Sequence, residues 1–192
     1  MSEFESQLED WYQGEVWAEA VLSALANGAQ SDDEAKKWSL LARLEATMAG
    51  RLRAACETAS IALPEPSDST HLDYARQMAG NPWQANMEIL MPQVDEAVSE
   101  IRSTAEHAPT AYAGIAAEFL AHEEALAAFV SAELKGEDGS PAVESLLNQW
   151  SEPTPGGPTS ALQRPADKLL HDLVGAAVDL VHSAVGEHAR DF

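Results

Sequence analysis

Apolar residues recur along most of this chain at alternating steps of four and three, and that spacing admits little besides helices. Phe4, Leu8, Trp11, Ala18, Leu22 and Leu25 share one helical face, with Glu15 at the single polar step. Trp38, Leu41, Met48, Leu52 and Ala55 make a second stripe around Glu45. Met87, Leu90, Val94, Ala97 and Ile101 make a third, and Tyr112, Ile115, Phe119, Leu126 and Phe129 a fourth around His122. No segment shows the period-two alternation of a half-buried strand. The expected fold class is all-α.

Turn-forming residues divide the stripes into elements. A first helix is expected over residues 3–26, closing at Asn27-Gly28. Ser31-Asp32-Asp33-Glu34 supplies N-cap candidates and first-turn acids for a second helix running to about Leu63, where Pro64-Glu65-Pro66 must stop it. A long irregular connection follows, with a short helix expected around residues 71–78. The third helix should start near Pro82-Trp83 and reach about His107, with Pro92 either kinking it or delaying its start. After the sharp turn at Ala108-Pro109-Thr110, a fourth runs from about Ala111 to Lys135 and ends at Gly136. Ser140-Pro141 opens a short helix to Trp150.

Two short-linked helix pairs joined by one long connection describe a four-helix bundle with a single crossover. The domain expectation is a bundle over residues 1–150, a Pro/Gly-rich linker over 151–165, and an appended C-terminal segment, 166–192, helical over 166–189. That last helix carries Leu169, Leu173, Val174, Val178, Leu180, Val181 and Val185, a face too wide for water. It should dock on the bundle or across a homodimer.

Composition narrows the partners. The 192 residues suit one domain, and 11 Lys plus Arg against 32 Asp plus Glu give a net charge of −21. Such a charge repels phosphate backbones and anionic lipid, so nucleic acid and membrane surfaces are not expected as partners. No apolar run approaches the ~20 residues that span a bilayer. MSEFESQLEDWYQ has neither the basic start nor the apolar core of a signal peptide, so a cytoplasmic location is expected. Cys56 is the only cysteine, which excludes an internal disulfide and a multi-cysteine zinc site.

The polar interruptions carry the functional signal. An unpaired charge inside an apolar seam costs several kcal/mol. One such residue could rotate outward, but Glu15, Glu45 and His122 are each central in a different helix and are expected to meet. Glu19 follows Glu15 by four and Glu118 precedes His122 by four, each only about 40° around its helix from its partner. Glu123, beside His122, is a further candidate.

Glutamates and a histidine converging at the middle of a helical bundle resemble the ferritin-like superfamily. The resemblance rests on Gly14-Glu15-Val16-Trp17-Ala18-Glu19, Leu44-Glu45-Ala46-Thr47 and Leu120-Ala121-His122-Glu123, together with the long crossover, and covers residues 4–135. It implies an oxidoreductase that activates O2 or peroxide at a carboxylate-held iron or manganese pair, with Glu15, Glu19, Glu45, Glu118, His122 and Glu123 as the ligand set. The family pattern also has Glu-x-x-His on the second and fourth helices and a Glu on the third. Here Met48 stands three after Glu45, Phe119 stands three before His122, and Glu88, Asp95 and Glu96 lie off the third stripe. A two-metal site, a one-metal site and a metal-free polar cluster therefore all remain open. The reading from another class is a non-catalytic bundle for protein interaction or for a small apolar ligand, since Ala-rich seams leave room between helices.

Overall fold

The structure is a computed structural model that describes residues 2–63 and 70–151. The expected appended helix 166–189 and nearly all of the linker lie outside the described residues, and with them the surface on which a homodimer was argued. The described residues form six helices and no strand: α1 (Glu3–Gly28), α2 (Asp32–Thr58), α3 (Thr70–Ala79), α4 (Trp83–Glu106), α5 (Ala113–Leu134) and α6 (Ser140–Ser151). The fold is all-α. No described helix is long and apolar enough to cross a membrane.

Local chemistry sets the helix ends. Ser2 and Glu5 form a reciprocal capping box at the start of α1, and the Ser31 side chain accepts from the Glu34 amide at the start of α2. α2 stops short of the proline-rich segment that the sequence marked as its end. Ser60 adopts a left-handed conformation, φ 59°, and Ile61 N–H donates to the Cys56 carbonyl at 2.8 Å. Ser60 N–H donates to Glu57 at 3.1 Å, completing a Schellman turn with serine where glycine is usual. Gly136, φ 76°, closes α5 with the same bond pattern. α4 runs unbroken through Pro92, so the proline does not delay its start.

Two apolar clusters show how the helices run. Leu8, Trp11, Met48, Leu52, Cys56, Ile101, Ala116 and Phe119 form one cluster. Val21, Leu25, Trp38, Leu41, Leu44, Met87, Phe129 and Val130 belong to the other, joined by Val143 and Leu146 of α6. α1 and α5 therefore run from the first cluster to the second, and α2 and α4 run the opposite way. α2 ends at one cluster and α4 begins at the other, so the connection between them traverses the length of the helices. α1 packs along α2, α4 along α5, α3 on α1, and α6 on both α5 and α2.

The polar interruptions fall between the two clusters on every helix that has one. Glu15 lies between Tyr12 and Val21, Glu45 between Leu44 and Met48, and His122 between Phe119 and Ala125, all buried. Ionisable side chains thus occupy the waist between two apolar cores.

Candidate metal centre

Glu15, Glu45 and His122, from three different helices, do meet. His122 Nε2 lies 3.2 Å from Glu15 Oε2 and 3.1 Å from Glu45 Oε2. Its other ring nitrogen, Nδ1, is 3.7 Å from Glu123 Oε1. The His122 side chain is wholly inaccessible, and those of Glu15 and Glu45 are 6% and 4% exposed. Phe119, one turn back on α5, stacks its ring on the imidazole with 7° between the planes and fixes its orientation. Each side chain is held at the waist by the apolar residues one turn to either side.

His122 is ion-paired with both carboxylates, but the pairs are not well-aligned hydrogen bonds. Glu15 Oε2, His122 Nδ1 and His122 Nε2 are all buried without a hydrogen-bond partner. A single N–H on Nε2 can align well with only one of the two carboxylate oxygens that stand at this distance. Buried polar atoms are rarely left so, because each costs about 1–3 kcal/mol of lost solvation. The spacing has another reading. Metal–ligand bonds of about 2.0–2.2 Å place neighbouring donor atoms roughly 3.0–3.5 Å apart. The Nε2–oxygen distances fall in that interval. Glu15, His122 and Glu123 also each offer a donor atom within 4.8 Å of one another.

The electrostatics describe a cluster short of positive charge. Burial drives the Glu15 carboxyl well above its ordinary value, with Glu45 adding repulsion, and His122 only partly opposes this. Burial acts the same way on Glu45, but the His122 charge together with hydrogen bonds from His122 and Glu15 outweighs it and leaves Glu45 below its ordinary value. Burial disfavours the imidazolium, yet Glu15 and Glu45 together raise His122 well above a usual histidine. Glu19 is half-buried and raised, by burial first and by Glu45 second. It feels the cluster's charge from outside the group of closest contacts.

Glu118 is not brought into the cluster. Arg51 of α2 holds it as a bidentate pair, with Nε donating to Oε2 at 2.8 Å and Nη2 2.7 Å from Oε1. A 40° offset from His122 was small enough for either arrangement, and the guanidinium takes the carboxylate towards solvent. Glu88, Asp95 and Glu96 of α4 are exposed, so α4 adds no carboxylate at the waist. In its place, α4 leaves an apolar cleft of about 410 Å³, lined by residues of α1, α2, α3, α4 and α5, with Glu15, Glu45 and Glu123 among its buried lining.

One buried acid, Glu133, lies beyond the end of the fourth stripe. Glu133 is 5% exposed and accepts from Lys37 Nζ, Trp83 Nε1 and the Gly139 amide, each at 2.9 Å. Continuing the fourth stripe from Phe129 by four more residues reaches it. Glu123, a weaker candidate than His122 by sequence, is buried because α5 is covered on more than one side; Phe119, Glu123, Leu126, Val130 and Glu133 make a second stripe on that helix. No family model, curated protein or solved structure matches the chain.

Proposed function

We propose that the waist is a metal centre of a ferritin-like four-helix bundle, with Glu15, Glu45 and His122 holding one divalent ion. The observation that carries this reading is the set of buried, unpartnered donor atoms, Glu15 Oε2 and His122 Nε2, facing each other at ligand spacing. A cluster built only for stability would be expected to satisfy its own polar atoms. One ion suits the donors better than two, because α4 offers no buried carboxylate and Glu118 is committed to Arg51. Mixed imidazole and carboxylate donors suit a first-row transition ion better than calcium or magnesium.

Glu123 has a different part. Facing Nδ1, it can accept that nitrogen's proton in a hydrogen bond, fix the ring tautomer and leave Nε2 free to coordinate. Iron or manganese bound here would supply one-electron chemistry with O2 or peroxide, consistent with an oxidoreductase. The chain's own residues hold the ion and exclude water: Trp11 and Phe119 are buried on one side of the waist, Val21 and Val130 on the other. The apolar cleft beside the cluster favours a small-molecule reactant over a macromolecular one.

The test is metal analysis of chain purified without chelator, repeated after reconstitution with Fe(II) or Mn(II). Close to one ion per chain is expected. Glu45→Gln should bind metal at least about tenfold more weakly while its metal-free stability changes by only about 1 kcal/mol. Substoichiometric Fe, Mn and Zn both before and after reconstitution would remove the reading.

A further inference from the structure

The cleft at the waist is selective by charge as well as by shape. Its volume of about 410 Å³ is that of a small-molecule site. Trp11, Trp17 and Phe119 give it aromatic walls, and Ala97 of α4 forms part of the opposite wall. Five carboxylates also line it. Asp10 and Glu100 are exposed and stand where the cleft meets solvent, whereas Glu15, Glu45 and Glu123 are buried. Among the described residues that line it there is no lysine, arginine or histidine. Glu15 contributes a second, independent feature: its side chain is 94% buried, it lines the cleft, and its Oε2 has no hydrogen-bond partner.

We propose that this cleft binds a small apolar organic cation, an alkyl- or arylalkyl-ammonium, with its hydrocarbon body on the aromatic wall and its ammonium among the carboxylates. An anion would meet a lining of carboxylates with no described cationic side chain among them, and would also have to give up its solvation. A neutral molecule of the same shape gains the walls but leaves the carboxylates unanswered. An ammonium gains both, and the indole faces of Trp11 and Trp17 add attraction for a cation. A metal ion at the waist would occupy Glu15 and Glu45, with Glu123 held to His122, and leave Asp10 and Glu100 for the ammonium. The inference names the ligand class of the proposed metal centre and rests on that reading for what would become of the ligand, but not for its binding.

The experiment is a titration of the full chain, metal-free and metal-loaded, with three compounds of one shape: phenylbutylammonium, phenylbutanol and phenylbutanoate. Quenching of intrinsic tryptophan emission, checked by calorimetry, reports binding. Phenylbutylammonium should bind about tenfold more tightly than the alcohol, and the carboxylate more weakly still. The double variant Asp10→Asn, Glu100→Gln should narrow the ammonium–alcohol gap by about threefold and leave the alcohol unchanged. Ala97→Trp, which fills the cleft, should abolish binding of all three while metal binding stays as in the parent.

Equal affinity for ammonium and alcohol overturns the proposal, as does binding of none of the three. Should Ala97→Trp fail to fold, the wild-type series alone decides. Ammonium binding by a chain that takes up no metal sinks only the metal reading. Metal binding by a chain that ignores all three compounds sinks only the cleft.

Discussion

α5 carries two buried acidic sites, three turns apart, and they are built on opposite plans. At Glu133 every nearby donor is used: Lys37, Trp83 and the Gly139 amide all give to one carboxylate. The group ties α2, α4 and the turn into α6 to a single point. At His122 the neighbours are equally buried but stand 3.1–3.7 Å away, and Glu15 Oε2 and both ring nitrogens lack a well-aligned hydrogen bond. Burial of charge alone therefore says little about purpose. The informative quantity is the coordinating capacity left over after the protein has satisfied what it can, and only the waist has any.

Substitution should separate the two plans sharply, with the larger effect at the site that has no proposed chemistry. Glu133→Leu removes the closer and more buried carboxylate from Lys37, whose side chain is 17% exposed, leaving it the exposed Asp33 at 3.4 Å, and removes acceptors from an indole and a backbone amide. Breaking a mostly buried pair in this way costs about 3–5 kcal/mol, so the urea midpoint should fall steeply. Metal binding by whatever fraction stays folded should be unaltered. A loss below about 1 kcal/mol would mean that Glu133 is no tie at all.

Glu15→Met should move stability the other way. Glu15 is held against strong desolvation, and an apolar side chain of similar length removes that cost while His122 keeps Glu45 as its partner. The metal-free chain should gain about 1–2 kcal/mol in the same urea experiment and lose its metal affinity. A stabilised but metal-blind variant is the mark of a site kept for function. If Glu15→Met is instead destabilised as Glu133→Leu should be, the two sites are alike and the contrast fails.

Acidity gives a second axis. Glu15 and Glu19 titrate above their ordinary 4.5 in the folded chain, so each stabilises the fold relatively at low pH and loses that contribution as the solvent turns less acidic. His122, raised above 6.5, likewise contributes fully below that value and loses its contribution as pH rises through its folded pKa. Glu45, lowered, contributes above 4.5 and loses stability only as pH falls through its folded value. Glu15 and Glu19 act in this direction from about pH 4.5 upward and His122 joins above 6.5, so the metal-free melting temperature should decline towards pH 8. Metal binding displaces the same protons, so the rise in melting temperature on adding Mn(II) should grow over that interval. A metal-free melting temperature that climbs from pH 5 to 8 would contradict the assignment.

How much of this could be read from the residues differs between fold and site. The stripes located the four long helices because period and burial follow from the same spacing, and turn residues marked the two short ones. The end of α2 was misplaced because a Schellman turn on Ser60 gives no glycine signal, and the proline segment beyond it looked sufficient. Glu15, Glu45 and His122 were legible because each breaks an apolar run at its centre. Glu118 was not, because which of two partners a long side chain takes depends on Arg51 across the helix pair, and no single-helix pattern encodes that. The cleft was hidden for a related reason. Val94 and Ala97 read as core, and only the packing leaves the middle of α4 partly uncovered.

The smallest expected effect probes that uncovered side directly. Gly14 sits inside α1, next to Glu15, and lines the cleft; a Cβ built there meets nothing within 4 Å. Glycine in a helix interior costs roughly 0.5–1 kcal/mol relative to alanine, because the unfolded chain has more conformations to lose. Gly14→Ala should recover that amount in a urea titration, since no packed neighbour must give way. At Gly139, beside the Glu133 tie, the corresponding Cβ would come within 2.5 Å of the Phe129 carbonyl oxygen, so the same exchange should destabilise. Opposite signs for the two substitutions are what a roomy waist and a closed tie require. A Gly14→Ala chain less stable than its parent would mean that the cleft is filled at that point, with no room beside the proposed metal centre.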